Sequence, residues 1–387
     1  MWNQIVFNLY QWTFRALAAV WPPDPKPLPP RPSRILVFST AGIGDSLTDS
    51  VAIRALKETW PAARVTVVTH ARRRAVHDHN PHIDEIIAHR KSPVCFLQNA
   101  RKLRALKPDL VVVLRANDPD VWPLAYLANR RVVVSYEGMT RFGFLISHPV
   151  HFAENWPAGT PKPGPVPSWE IHGVEQTLWI VRQAGAKAED KGLVYRVSEA
   201  EKKSVADRFG GWLGQKPLVV FQAGGGKRAA WRDWPVAHYA EVIRWVGESG
   251  LFEIAITGGT DNLARARDME KQAGVPVRNL CALMSLSETA ALLTFASALV
   301  STDTGVMHLG FAVGTDTVAL IHHNNPAFRV GPHGYGDKHA VLELERPAGI
   351  APGVKAPMEG ITPAAVIEKL KVILARKRTH DGLNVEF

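Results

Sequence analysis

From Arg34 onward the chain alternates short apolar, β-branched runs with longer stretches in which apolar residues return every three or four positions. The runs "RILVFST", "ARVTVVTH", "PDLVVVLRA" and "RRVVVSY" each predict a strand, with a helix after the first reaching about Trp60 and another before the last. Strands that are apolar throughout, rather than at alternate positions, are buried on both faces, which implies a parallel, doubly wound α/β unit. A Pro/Gly-rich stretch, "NWPAGTPKPGPVPSW", and a helix, "EIHGVEQTLWIVRQAG", lead to a second series with strands at "PLVVFQ", "FEIAIT", "ALVST" and "DTVALI". Its helices carry their own signals: Pro235 in a first turn, Ser285 and Glu288 at capping-box spacing, and Thr362 before Pro363 at the start of a closing helix. The expectation is two Rossmann-like domains, 34–170 and 171–387, facing each other across a cleft lined by the carboxyl ends of the strands.

The first 33 residues follow another pattern. In "MWNQIVFNLYQWTFRALAAVW", Trp2, Ile5, Leu9, Trp12, Ala16 and Val20 fall on one stripe of a helix. The segment is too polar to span a bilayer and lacks the basic start of a signal peptide. An amphipathic helix in a membrane interface and a helix packed on its own protein or on a second subunit both fit this stripe. "WPPDPKPLPPRPS" then reads as an extended, semi-rigid arm.

Composition narrows the classes. A length of 387 residues exceeds a single core, and 46% hydrophobic with 21% charged residues is ordinary globular composition. The formal net charge of +10 favours anionic partners, whether phosphorylated small molecules, acidic lipid or nucleic acid. The basic residues form no long stripe interleaved with aromatics, so nucleic acid is not expected. Cys95 and Cys281 stand far apart and in no CxxC arrangement, which argues against a disulfide framework or thiolate metal site and fits a reducing compartment.

"AGIGDSL" follows a strand and opens a helix, the setting of a dinucleotide fingerprint, but Leu47 occupies the third glycine position. A carboxylate in that turn would also repel a phosphate at the helix N-terminus, so Asp45 speaks against a phosphate cradle and against an NAD enzyme. The bland role for Asp45 is a helix cap. The sharper one is a general base, with Gly44 allowing close approach of an acceptor hydroxyl. Phosphate chemistry is better placed in the second series. There "FQAGGGKRAAWRDWP" offers Gly224, Gly225, Gly226, Lys227, Arg228 and Arg232, "TGGTD" offers Gly258 and Gly259, and "STDTGVMH" offers Asp303, Thr304, Gly305 and His308. Any one of these could be a tight turn needing glycine; three at successive strand ends point to a nucleotide-diphosphate site. Arg72, Arg73 and Arg74 after "VTVVTH", with Arg115 at the end of "LVVVLR", are candidates for an acidic acceptor. Asp118 and Asp120, and His77, His79 and His82, have metal-like spacing without further ligands, so solvated loops are expected and neither metal nor cofactor is assigned.

These residues together resemble glycosyltransferase family 9, the heptosyltransferase type, over nearly all of the chain from Arg34. The resemblance is carried by "GIGDSLTDSVAIRALKETWP", "NPHIDEII", "PDLVVVLRAN", "GGGKRAAWRDWP", "LSETAALLTFASALVSTDTGVMHLGFAVGT" and "GPHGYG". It implies the two-domain GT-B fold and metal-independent, inverting transfer from a nucleotide-diphosphate sugar to lipopolysaccharide inner core at the cytoplasmic face of the inner membrane. By the same resemblance Asp45 matches the aspartate assigned as base, Arg232 stands where the family has a phosphate-binding lysine, and Asp303, Thr304, Gly305 and His308 match its donor-binding string. Two departures stand out: the lysine-arginine pair reads Arg232-Asp233, and 33 residues precede the first strand. A nucleotide-sugar epimerase of the same architecture, and a catalytically inactive membrane-tethered glycolipid-binding protein, are the rival expectations.

Overall fold

The computed structural model describes residues 2–151, 170–226, 229–346 and 353–381, with 349 and 351. The chain divides into two compact units, Met1–Val194 and Tyr195–Phe387.

The first unit holds helix α1 (Trp2–Val20), then β1 (Arg34–Ser39), α2 (Ile43–Thr59), β2 (Arg64–His70), β3 (Glu85–His89), α3 (Pro93–Ala105), β4 (Leu110–Arg115), α4 (Val121–Asn129), β5 (Val133–Tyr136), β6 (His148–Val150) and α5 (Gly173–Gln183). Its six strands run in the order β3-β2-β1-β4-β5-β6, all parallel. Val37 sits in register with Val67 on one side and Val112 on the other, so the apolar runs build a central ladder buried on both faces. The second unit holds α6 (Glu199–Phe209), β7 (Leu218–Gln222), α7 (Val236–Glu248), β8 (Glu253–Thr257), α8 (Leu263–Ala273), β9 (Arg278–Asn279), α9 (Leu286–Phe295), β10 (Ala296–Thr302), α10 (Gly305–Val313), β11 (Thr317–Ile321), the short α11 (Ala327–Val330), β12 (Ala340–Glu343) and α12 (Pro363–Asp381). Its parallel sheet has the order β12-β11-β10-β7-β8-β9, the same winding repeated.

In both sheets the strand order reverses beside the first strand, between β1 and β4 and between β7 and β10. These are the topological switch points, where open α/β sheets bind ligands beyond the strand carboxyl ends.

Three expectations need correction. The helix expected to open a second domain at residue 171 is α5, and it packs in the first unit: Val174, Leu178 and Val181 share a core with Val51, Leu56 and Val112. The reason is its apolar face, which matches α2 and the sheet, so the division falls after Val194. Each sheet also has six strands where the sequence predicted four, the added ones being β3, β6, β9 and β12. Finally, of the two alternatives for the stripe of α1, packing on its own protein does not hold for the described side chains Leu9, Trp12, Ala16 and Val20. Phe14 is buried, with Phe7, Tyr10, Leu17 and Trp21 against the same core, while Leu9, Trp12, Ala16 and Val20 are exposed. The rings of Tyr10, Phe14 and Trp21 interlock edge-on with Phe96 and Tyr126, and that aromatic fit sets the face of α1 that packs. The linker predicted around "NWPAGTPKPGPVPSW" lies outside the described residues apart from its edges.

Candidate active site

At the first switch point, β1 ends at Ser39 and β4 at Arg115, and a register irregularity after Phe38 sets these two residues opposite each other. The Thr40 N–H donates to the Arg115 carbonyl at 3.0 Å, which fixes where the arginine side chain departs. Gly42 precedes α2 in extended conformation, and Asp45 lies in the helix's first turn. Asp45 Oδ2 accepts from the Gly42 N–H at 3.2 Å, so the capping role is real. Its other oxygen, Oδ1, accepts from Arg115 Nη1 at 2.8 Å. The same nitrogen donates to Thr48 Oγ1 at 3.0 Å, and Nη2 donates to the Gly173 carbonyl at 2.6 Å. The guanidinium is thereby locked between β4, α2 and α5, with its side chain 13% exposed against 43% for Asp45. The result is an anion in a fixed orientation that solvent and substrate can still reach. Gly44 sits in the same helical turn.

Of the three candidate arginines after β2, only Arg73 is tied to this turn, donating to the Thr40 carbonyl at 2.7 Å. Arg74 pairs with Asp78 at 3.2 Å, and Arg72 and Arg74 are exposed. One turn along α2 from Asp45, Asp49 is fully buried with Oδ2 accepting from the Ser39 hydroxyl at 2.7 Å. Burial pushes its carboxyl up to about 8, with Arg115 and the Ser39 hydroxyl pulling the other way and the Asp45 charge adding to the rise. A lone aspartate in a helix carries no sequence signal of this burial, so Asp49 was not anticipated.

At the second switch point the loop after β7 carries Gly224 at φ 148° and Gly226 at φ 72°, conformations that glycine alone adopts freely. A Cβ on Gly224 would stand 2.7 Å from Asp233 Oδ1, and the Gly225 N–H donates to that oxygen at 2.8 Å. The glycine turn is therefore braced from inside by Asp233, which takes up one of the amides expected to cradle phosphate. Lys227 and Arg228 lie outside the described residues. Arg232, on a short turn after the loop, pairs through Nη1 with Asp303 Oδ2 at the end of β10. Asn325 Nδ2 donates to the same oxygen at 2.6 Å, and His308 Nε2 lies 3.7 Å from Oδ1. Burial alone would raise the Asp303 carboxyl, but the neighbouring His308, the Arg232 charge and the Asn325 hydrogen bond outweigh it and hold it below its ordinary value. Thr304 and Gly305 open α10, whose first amides have no acceptor within the helix and present a positive dipole end.

The predicted donor residues are thus brought together at Gly224, Gly225, Gly226, Arg232, Asp303, Thr304, Gly305 and His308, on β7 and β10. Gly258 and Gly259 serve packing and capping: a Cβ on Gly258 would meet Asn262 at 2.8 Å, and the Gly259 N–H is taken by Asn262 Oδ1 at 3.1 Å. Sequence reasoning missed Asn325, Trp231 and His322. The Trp231 and His322 rings meet edge-on at 4.8 Å, and Arg232 and Lys355 stand over the indole at 5.6 and 5.7 Å. Asn325 was discoverable only as a polar residue just past the strand "TVALI".

The remaining candidates resolve into structure. Asp118 pairs with Lys91 at 2.6 Å and Asp120 with the buried His89 at 2.9 Å. The expected solvated loop is corrected for both, since both side chains are buried just before α4. His77 is also fully buried, and burial pulls it down to about 4. Among the described residues no group of three His, Cys, Asp or Glu is arranged to hold a metal ion.

Two six-stranded parallel Rossmann-like units are the components of the GT-B fold. That fold recurs in a glycosyltransferase family 9 protein from Veillonella parvula, with a TM-score of 0.76 and 20% identity over 91% of this chain and all of that one. It recurs also in an Escherichia coli heptosyltransferase with ADP-2-deoxy-2-fluoro heptose, with a TM-score of 0.62 and 19% identity over 88% of this chain and 99% of that one. The model of "Glycosyltransferase family 9 (heptosyltransferase)" matches residues 165–357. Lipopolysaccharide heptosyltransferase 2 of Salmonella typhimurium is 25% identical over 368 residues, which span 89% of this chain and 99% of the relative. The chain belongs to glycosyltransferase family 9.

Proposed function

We propose that the protein transfers heptose from ADP-heptose to a hydroxyl of a lipopolysaccharide core acceptor, with inversion at the anomeric carbon and without a metal. The observation that carries this reading is the pairing at each switch point: Asp45 with Arg115 in one unit, Asp303 with Arg232 in the other. A relative named as a lipopolysaccharide heptosyltransferase matches nearly end to end, and a structural neighbour has been solved with an ADP-heptose analogue, which supports donor and acceptor class.

In this mechanism the second unit holds the donor. Arg232 and the amides at the start of α10 neutralise the charge that develops on the departing diphosphate, with Asp303 keeping Arg232 in place. Trp231 offers an aromatic face beside that arginine. Asp45 takes the proton from the acceptor hydroxyl as that oxygen attacks the anomeric carbon opposite the leaving group, so one C–O bond forms as the other breaks. Arg115 keeps the carboxylate pointed at the hydroxyl, and Arg72 and Arg73 offer charge to an acidic acceptor. The enzyme would work at the cytoplasmic face of the inner membrane, held there by α1.

The test is transfer in the presence of a chelator, using ADP-heptose and heptose-deficient lipopolysaccharide, with the product linkage read by NMR. Formation of a heptosylated product of inverted anomeric configuration supports the reading. Isomerised donor without an acceptor, or activity restored only by added divalent metal, overturns it.

A further inference from the structure

The exposed stripe of α1 does not stand alone. Tyr10 and Phe14 meet Phe96 of α3 at 5.3 and 6.2 Å, while Trp21, just past the end of α1, lies under Arg104 near the end of α3 at 5.5 Å. The two helices therefore run side by side in the same direction. Both leave large apolar residues in solvent: Leu9, Trp12 and Val20 of α1 are 65%, 74% and 87% exposed, Val94 and Leu97 of α3 64% and 58%. Four or more large apolar side chains left in the open on two neighbouring helices point to a surface that something else covers.

Past the end of α1 the surface is cationic. Around Trp21 lies an open groove of about 850 Å³ lined by Arg101, Arg104, Lys107, Arg130 and Arg131. The guanidiniums of Arg104 and Arg130 lie over the Trp21 ring, at 5.5 and 4.9 Å. The groove's own carboxylate, Asp109, is spent on the Ser33 and Arg34 N–H groups at 2.9 Å each. Asp24 approaches Arg131 at 2.9 Å and Arg130 at 3.5 Å. Five cations against these two acids leave the groove strongly positive.

We propose that α1 and α3 together form a membrane-docking face for an anionic bilayer: Leu9, Trp12, Val94 and Leu97 enter the interface while the groove around Trp21 takes lipid phosphate. The proposal deepens the reading that α1 holds the enzyme at the membrane, and it chooses the lipid surface over a second copy of the chain because of charge. Two copies meeting through this face would bring like-charged grooves together, whereas acidic headgroups complement them. Among the described residues no helix is long and apolar enough to cross a membrane, so the contact is one of lying on the surface.

The test is co-sedimentation of the full chain with vesicles of phosphatidylglycerol and phosphatidylcholine against vesicles of phosphatidylcholine alone. Binding is expected on the anionic vesicles and should fall when salt is raised to about 0.5 M. The double substitution Arg101→Glu and Lys107→Glu should weaken it by at least about 25-fold, from roughly fivefold per neutralised cation. Trp12→Ser with Leu97→Ser should weaken it too, with the melting temperature unchanged because both residues are exposed. Donor affinity and transfer to a delipidated acceptor should be unaltered in every variant, which separates failure here from failure of the enzymatic reading. The proposal is overturned by absence of vesicle binding, by equal and salt-insensitive binding to neutral vesicles, by full binding of the charge-reversed variant, or by a Trp12-dependent dimer in ultracentrifugation that binds no lipid.

Discussion

Arg115, the last residue of β4, grips Asp45 in the first turn of α2 at 2.8 Å while its second nitrogen holds the Gly173 carbonyl of α5. One guanidinium thus ties three elements of the first unit to the carboxylate on which the proposed chemistry turns. Arg115→Ala should lower kcat by roughly 10- to 100-fold, a part of what a positioned base contributes, and leave donor affinity unchanged. Arg115→Lys should recover little, because an ammonium cannot fork between Asp45 and Gly173. Steady-state kinetics for each substrate decides it: a rise in donor KM with normal kcat would assign Arg115 to binding instead.

Arg232 and Asp303 form the corresponding pair at the second switch point. Arg232→Ala removes a charge-assisted contact to the diphosphate and should weaken ADP-heptose binding by roughly 10- to 100-fold, as measured by calorimetry. Asn325→Ala should have a smaller effect in the same direction, because it loosens Asp303 without removing a cation. Unchanged affinity in Arg232→Ala would remove this loop from the donor site.

Gly224 bears the least tolerant backbone in the donor loop. Its φ of 148° and the 2.7 Å approach of Asp233 leave no room for a methyl group. Gly224→Ala should displace Asp233, free the Gly225 amide and abolish measurable donor binding, with a loss of stability of about 1–3 kcal/mol. Gly259→Ala, where nothing lies within 4 Å of the added carbon, should be close to neutral. Thermal melts of both variants with and without ADP test the contrast.

Asp49 makes stability depend on pH. Its folded carboxyl titrates near 8, far above the unfolded value of about 3.9, so the native state binds the proton more tightly over that interval. The contribution is complete below the unfolded value and is lost as pH rises through about 8. Asp49→Asn, which keeps an acceptor for the Ser39 hydroxyl, should therefore gain on the wild type as pH rises from 5 to 9, by an amount on the order of several kcal/mol. Parallel melting-temperature profiles for the two proteins would contradict the assignment.

Much of this fold is legible in the chain itself. The eight central strands are, because runs such as "ILVF", "VVVL" and "LVVF" are apolar at successive rather than alternate positions, the mark of a strand buried on both faces. The four that escaped notice, β3, β6, β9 and β12, are the edge strands of the two sheets. Edge strands are short and half solvated, so β12, with no buried residue, carries no comparable signal. The boundary error has a similar origin: an amphipathic helix such as α5 announces that it has an apolar face and says nothing about which core receives it.

The site was legible as residues and not as relationships. Asp45, Asp303 and Arg232 stood out from strand ends and glycine turns. That Asp45 is held by Arg115, that Asp233 fills the glycine loop, and that Asn325 completes the Asp303 cluster are contacts between strands distant in sequence, set by the winding of the sheets. For α1, helical periodicity found an apolar stripe, but ring shape chose the face that packs. Trp21, Phe14 and Tyr10 fit the rings of Phe96 and Tyr126, and Leu9 and Trp12 were left outside.

The most direct test of the account compares Asp45→Asn with the wild type for both ADP-heptose affinity and heptosyl transfer. The substitution keeps the shape and removes the base, and because an amide has one acceptor oxygen it keeps one of the two contacts, with the Gly42 N–H or with Arg115. The account predicts donor affinity within about threefold of the wild type and a turnover reduced by roughly 10²- to 10⁴-fold, the ordinary worth of a general base. Substantial transfer by Asp45→Asn would contradict it and return Asp45 to the role of a helix cap.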